Sequence, residues 1–146
     1  MNIKQAFISL PLACVLSLFP TILDSISFPI QAQTLVNPNE SEEWRSLQMM
    51  VAEYLVQDFR NSGIEMGNDA DIEVSPLVTS GDWLLATWYI VSSVNPNGWA
   101  GQLLFQKQGD QWVYKGGGNY IQDVNLLMDF GVPRAEAEGL AQGADI

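Results

Sequence analysis

Trp83-Leu84-Leu85-Ala86-Thr87-Trp88-Tyr89-Ile90-Val91-Ser92-Ser93-Val94 reads as a strand with two apolar faces. Leu84, Ala86, Trp88 and Ile90 fall on one side of a two-residue repeat; Trp83, Leu85, Tyr89 and Val91 fall on the other. Such a strand belongs at the centre of a sheet. Thr79-Ser80-Gly81-Asp82 before it is a turn. Asn95-Pro96-Asn97-Gly98 after it predicts a hairpin, because Asn-Gly tolerates the positive φ that tight hairpin turns demand. The chain returns over Trp99–Lys107, with Trp99, Leu103 and Phe105 on one face. Gln108-Gly109-Asp110 turns it into Gln111–Lys115, and the run Gly116-Gly117-Gly118 follows. Upstream, Ile72, Val74 and Val78 alternate with polar residues in a strand interrupted at Pro76, with Asp71 and Glu73 pointing to solvent.

Helices flank this meander. Trp44, Leu47, Val51, Tyr54, Leu55 and Phe59 make one apolar face of a helix running to about Arg60. Asn39 with Glu42 forms a capping box, Ser41 is a competing cap, and Gly63 supplies the stop. Near the end, Val124, Leu126, Leu127 and Phe130 form a short stripe with Asp123 as N-cap and Gly131 as stop. Pro133 opens a last helix whose inner face is Ala135, Leu140 and Ala141. The pattern predicts an α+β fold: an N-terminal amphipathic helix on an antiparallel meander of three or four strands, then short C-terminal helices. That layout is cystatin-like or NTF2-like, and the concave face of its sheet can form a pocket.

Residues 1–32 read as a signal peptide and residues 33–146 as one α+β domain. Lys4 and the amino group are basic, and Ala6–Phe19 is an apolar run shorter than the roughly 20 residues of a membrane span. Ser25-x-Ser27 and Ile30-x-Ala32 both offer a cleavage pattern, and the cut is placed near Ala32. Cys14 follows Leu12-Ala13, but Pro11 occupies the aliphatic position a lipidated cysteine requires, and the apolar run continues to Phe19. The expected product is periplasmic or secreted, with no stable membrane insertion after processing.

The sequence holds no histidine and one cysteine, Cys14 in the leader. That removes the Ser-His-Asp and Cys-His arrangements and the zinc sites of His/Cys type. The formal net charge is -11, which repels nucleic acid phosphates and anionic lipid surfaces and leaves cationic partners open. Without a disulfide, the domain of about 114 residues must be held by packing, for which five tryptophans, four tyrosines and the phenylalanines Phe59, Phe105 and Phe130 give bulk.

Three segments taken together resemble a known family. Gly81-Asp82-Trp83-Leu84-Leu85-Ala86-Thr87-Trp88 opens the central strand. Gly101-Gln102-Leu103-Leu104-Phe105 is followed by Gly109-Asp110-Gln111-Trp112-Val113. Gly131-Val132-Pro133 then leads Ala135-Glu136-Ala137-Glu138-Gly139-Leu140-Ala141. The series resembles the small periplasmic copper uptake system-associated proteins and uncharacterised cyanobacterial relatives, over roughly Pro76–Gln142. The resemblance implies a periplasmic protein associated with copper. Members commonly carry a cysteine after the last strand; here Tyr114-Lys115-Gly116-Gly117-Gly118-Asn119 has none, and with it goes the soft thiolate that holds Cu(I).

Four groups of residues carry candidate chemistry. Trp83, Trp88, Trp99 and Trp112 either line an apolar pocket in the sheet's concave face or fill the core. Met49, Met50, Met66 and Met128 offer thioethers, but adjacent Met49 and Met50 diverge by about 100° on a helix and make no chelate. Asp69, Asp71 and Glu73 alternate, as carboxylates on one strand face would, without the glycine and distal glutamate of a calcium loop. Gly116–Gly118 is either a backbone anion site or a bulge at a sheet edge. No catalytic residue, metal ligand or cofactor site is assigned. The reading is a non-enzymatic exported accessory or binding module with an acidic surface, its partner an unknown protein or small ligand and not nucleic acid. Periplasmic copper handling and an NTF2-like enzyme using carboxylates are the alternatives.

Overall fold

The Ser41 hydroxyl accepts a hydrogen bond from the Trp44 backbone N–H at 3.3 Å and starts α1, Glu42–Asn61. In this computed structural model the described residues are 34–36 and 41–144; the predicted leader and the Asn39 cap lie outside them. The end of α1 is fastened twice. Gly63 N–H donates to Arg60 O at 3.1 Å and Ile64 N–H to Phe59 O at 2.9 Å, with Gly63 at φ +70°. This is the paired closure that a left-handed residue permits after a helix.

Among the described residues five antiparallel strands follow one another in space in chain order: β1 Thr34–Val36, β2 Asp71–Ser80, β3 Trp83–Ser92, β4 Asn95–Gln108 and β5 Gln111–Gly118. β3 is central, as its two apolar faces predict. The expected α+β class is observed, and both faces of the sheet carry helices. On one, Trp44, Leu47, Val51, Leu55 and Phe59 of α1 pack over Val74, Leu77, Leu84, Ala86, Ile90, Leu103 and Phe105. On the other, α2 (Val124–Asp129) and α3 (Arg134–Ala144) place Leu127, Ala137 and Leu140 over Val78, Trp83, Leu85 and Leu104. Each fully buried Leu or Val in these layers contributes about 1.5–3 kcal/mol.

Four expectations from the pattern are corrected. The alternation in β2 changes phase: Val74 pairs with Trp88 and Leu77 with Ala86, so Ser75 and Pro76, joined by a cis peptide bond, oppose Thr87 alone. Leu77 therefore joins Val74 beneath α1, and Val78 turns to the opposite layer. The β3–β4 turn is at Ser93-Val94, not at Asn95–Gly98. Asn97-Gly98 sits inside β4, where Pro96, Asn97 and Gly98 bulge opposite Val91. Gly98 takes φ +74°, and a Cβ there would overlap the Tyr89 ring. In the tail, Leu126 is 43% exposed, while Val124 and Phe130 pack with Leu127 against the sheet. Ala135 is exposed and Ala137 takes its place inside.

The glycine run Gly116–Gly118 forms the end of β5, a bulged edge of the sheet. Gly116 pairs with Leu104 and Tyr114 with Phe105, leaving Lys115 as the extra residue. The Phe130 ring lies against Gly116, where a Cβ would collide with it. Beyond the run, Gln102 ties the exit segment to the sheet. Its Oε1 accepts from Ile121 N–H at 2.7 Å, and its Nε2 donates to Gln122 Oε1 at 2.6 Å and Thr87 Oγ1 at 3.3 Å. Gln102 is 4% exposed, so these bonds offset the cost of burying an amide.

Candidate functional site

A cleft of about 1010 Å³ opens between the last turn of α1, the loop that follows it and the tip of the β3–β4 hairpin. Each wall has a local cause. Val56 and Arg60 project from α1 one turn apart. The closure at Gly63 turns the chain away from the helix and presents Ile64, Glu65 and Met66. Gly67, at φ +86°, turns it again towards Asn68 and Asp69. Ser93 and Val94 close the far side.

Asp69 joins two of these walls. Its Oδ1 accepts from the Ser93 hydroxyl at 2.9 Å and its Oδ2 from the Ser93 backbone N–H at 3.1 Å. The hydroxyl bond foremost, with the backbone bond adding to it, holds the carboxyl below the usual aspartate range against the opposing effect of desolvation. The neighbouring Ser92 is 7% exposed and its Oγ has no hydrogen-bond partner among the described residues. That oxygen lies 3.4 Å from where a Cβ on Gly67 would sit, immediately behind the cleft wall. Arg60 is the one cation in the lining, beside the carboxylates Glu65 and Asp69. It pairs with neither; the ion pair among the described residues is Arg134 with Glu138, at 3.2 Å on α3. Apolar groups share the lining with these charges, with Ile64 44% and Val94 55% exposed.

A second, smaller groove of about 400 Å³ lies between α1 and β2, lined by Met49, Ala52, Asp71 and Glu73 among others. β1 pairs only with Leu77–Thr79 of β2, and at the other end Gln48 Nε2 donates to Val74 O at 2.8 Å. Carboxylates beside an open strand edge also discourage unwanted strand addition.

The four tryptophans divide between layers. Trp88 and Trp99 meet the Phe59 ring edge-on, with centroids at 5.9 Å and 5.4 Å. Trp112, paired with Lys107, packs at the margin of the same layer. Trp83 lies on the opposite face with Val78 and Leu85. None lines the cleft or the groove. Among the carboxylates, Asp69 is drawn to Ser93 while Asp71 and Glu73 stay exposed on β2. Among the described residues no group of three or more His, Cys, Asp or Glu side chains is placed to hold a metal ion. Met49 and Met50 are on α1, Met66 lines the cleft, and Met128 is on α2 across the sheet. No helix among the described residues is long and apolar enough to cross a membrane.

The sequence pattern did not point to this cleft. Gly63 and Gly67 mark a loop, but nothing local indicates that Asp69 meets Ser93, 24 residues away. Comparison of the chain with protein-family models, with curated proteins and with solved structures gives no match.

Proposed function

We propose that this chain is a non-enzymatic binding module, exported through its N-terminal leader, that holds a small polar ligand in the cleft between α1 and the β3–β4 hairpin. The observation that carries this reading is the cleft itself. Its volume of about 1010 Å³ reaches the top of the roughly 300–1,000 Å³ usual for small-ligand sites. Its lining mixes apolar and charged groups, and Asp69 braces two of its walls through Ser93.

The side chains argue for binding rather than catalysis. General acid–base work needs a group whose pKa lies near the working pH. Histidine is absent from the sequence. Asp69 is shifted down, and Tyr54 is pushed up to about 12 by burial foremost and by Tyr114 and Asp58 after it. Export rests on the apolar run Ala6–Phe19 and the small residues that follow it.

Amide chemical-shift mapping tests the site. The isotope-labelled protein, begun at Gln33, is titrated with a panel of small carboxylates, amines, zwitterions and neutral alcohols. The expected result is a cluster of shifts at Arg60, Ile64–Asp69, Ser93 and Val94 for at least one class. Replacing Val56 with tryptophan fills the cleft and should abolish them. Shifts confined to other surfaces, or none with any compound, overturn the reading.

A further inference from the structure

Arg60 makes no ion pair with Glu65 or Asp69, although all three line the same space. Part of the reason is local. Arg60 is in the last turn of α1, where a cation is favoured beside the free carbonyls. Glu65 lies beyond the closure at Gly63, and both oxygens of Asp69 are taken by Ser93. The cleft therefore offers a guanidinium and a carboxylate that form no ion pair among the described residues, with apolar surface alongside.

Resting on the binding role proposed above, we infer that the cleft takes a short zwitterionic peptide with apolar side chains, its carboxylate on Arg60 and its ammonium on Glu65. A guanidinium is suited to a carboxylate because its N–H groups form a planar fork. A primary ammonium is the complement of an unpaired glutamate. In the same cleft the lining supplies Val56, Ile64, Met66 and Val94, the surface that apolar side chains displace water from. The Asn68 amide stands in the same lining and can bond a peptide's main chain. A simple amine leaves Arg60 unmatched, and a simple carboxylate leaves Glu65 unmatched. A zwitterion answers both. The net charge of -11 favours approach with the ammonium end leading.

The probe is the tripeptide alanyl-leucyl-alanine in four forms: free, N-acetylated, C-amidated and capped at both ends. Binding is followed by amide shifts of the labelled protein. The free form should bind at the cleft, and each cap should weaken it about three- to tenfold, the range for partly exposed charge-assisted contacts. Arg60→Gln should remove the penalty for C-amidation and leave that for acetylation. Glu65→Gln should do the reverse. Arg45→Gln, an equal charge change elsewhere on α1, should preserve both penalties. Equal affinity of all four forms at the cleft overturns the zwitterion and leaves the cleft as a binding site. If the free tripeptide moves nothing while other panel compounds shift the cleft, the ligand class falls alone. If no compound shifts it, both readings fall.

Discussion

Asp69 grips Ser93 with both carboxylate oxygens, at 2.9 Å to the hydroxyl and 3.1 Å to the backbone N–H. The loop after α1 is thereby fastened to the tip of the β3–β4 hairpin. Asp69→Ala should speed amide hydrogen exchange over Ile64–Ala70 and at Ser93 and Val94, while β3 and β4 below the tip keep their protection. The pH response has a definite direction. The folded-state pKa lies below the reference value of 3.8, so the contribution is present above that value and is lost as the pH falls through the lower one. Asp69→Asn should flatten this acid step. An exchange pattern unchanged by either substitution would show that the grip does not order the loop.

Gly116 and Phe130 test the second layer. The ring occupies the space where a Cβ on Gly116 would stand. Gly116→Ala should destabilise by about 1–3 kcal/mol, the usual cost of forcing extra volume into packed surroundings. Adding Phe130→Leu should recover much of that loss, because the smaller side chain vacates the contested space. Chemical denaturation of the two single variants and the double variant gives the coupling. Strictly additive losses would mean that the glycine serves the bulge at Lys115 and not the ring.

The parts of this fold that were legible in the sequence are those governed by period. Trp44 to Phe59 recur at helical spacing, and their burial follows from it. Residues 83 to 90 alternate between apolar sets, which places β3 between two layers. What escaped depends on residues that break a period. Two residues facing one at Ser75-Pro76 reverse the sides of Leu77 and Val78. Gly98 takes the expected positive φ, yet the bulge in β4 uses it and the turn falls at Ser93-Val94. The cleft was hidden for a different reason. Arg60, Glu65 and Asp69 are close in sequence, but their common space is completed by Ser93 and Val94 from another hairpin.

Leu55 is 1% exposed at the centre of the α1 layer. Leu55→Ala should cost about 2–5 kcal/mol, because the lost transfer energy is joined by a cavity that rigid neighbours refill only in part. Urea unfolding should show a lower midpoint with the slope unchanged. A midpoint equal to that of the parent protein would place the apolar stripe outside the stabilising core.

Tyr54 stacks on Tyr114 with ring centroids 4.7 Å apart and meets Phe105 edge-on at 5.4 Å. Burial, then the neighbouring Tyr114 and Asp58, push its pKa from 10.0 to about 12. Below pH 10 the folded and unfolded chains both keep the proton, and the group has no effect on the pH dependence. Between pH 10 and about 12 the unfolded chain loses it while the folded chain retains it, so stability falls as the pH rises. Tyr54→Phe should lessen that alkaline loss relative to the parent protein. An identical alkaline profile in thermal melts would show that Tyr54 titrates alike in both states.

Copper gives the sharpest chemical test of the family resemblance. The chain begun at Gln33 has no thiol and no imidazole, so thioethers are its only soft ligands. Met49 is 63% exposed on α1, Met66 lines the cleft, and Met128 is on α2 across the sheet. Met50 follows Met49 on the same helix and points about 100° away. Met49 and Met50 diverge, and Met128 stands across the sheet from both. The exposed carboxylates attract divalent cations loosely, and physiological salt screens them. In competition with a tight Cu(I) chelator, copper should therefore leave the protein entirely. Retention of one equivalent, released by substituting Met49, Met50 or Met66, would overturn this and establish a copper-handling protein.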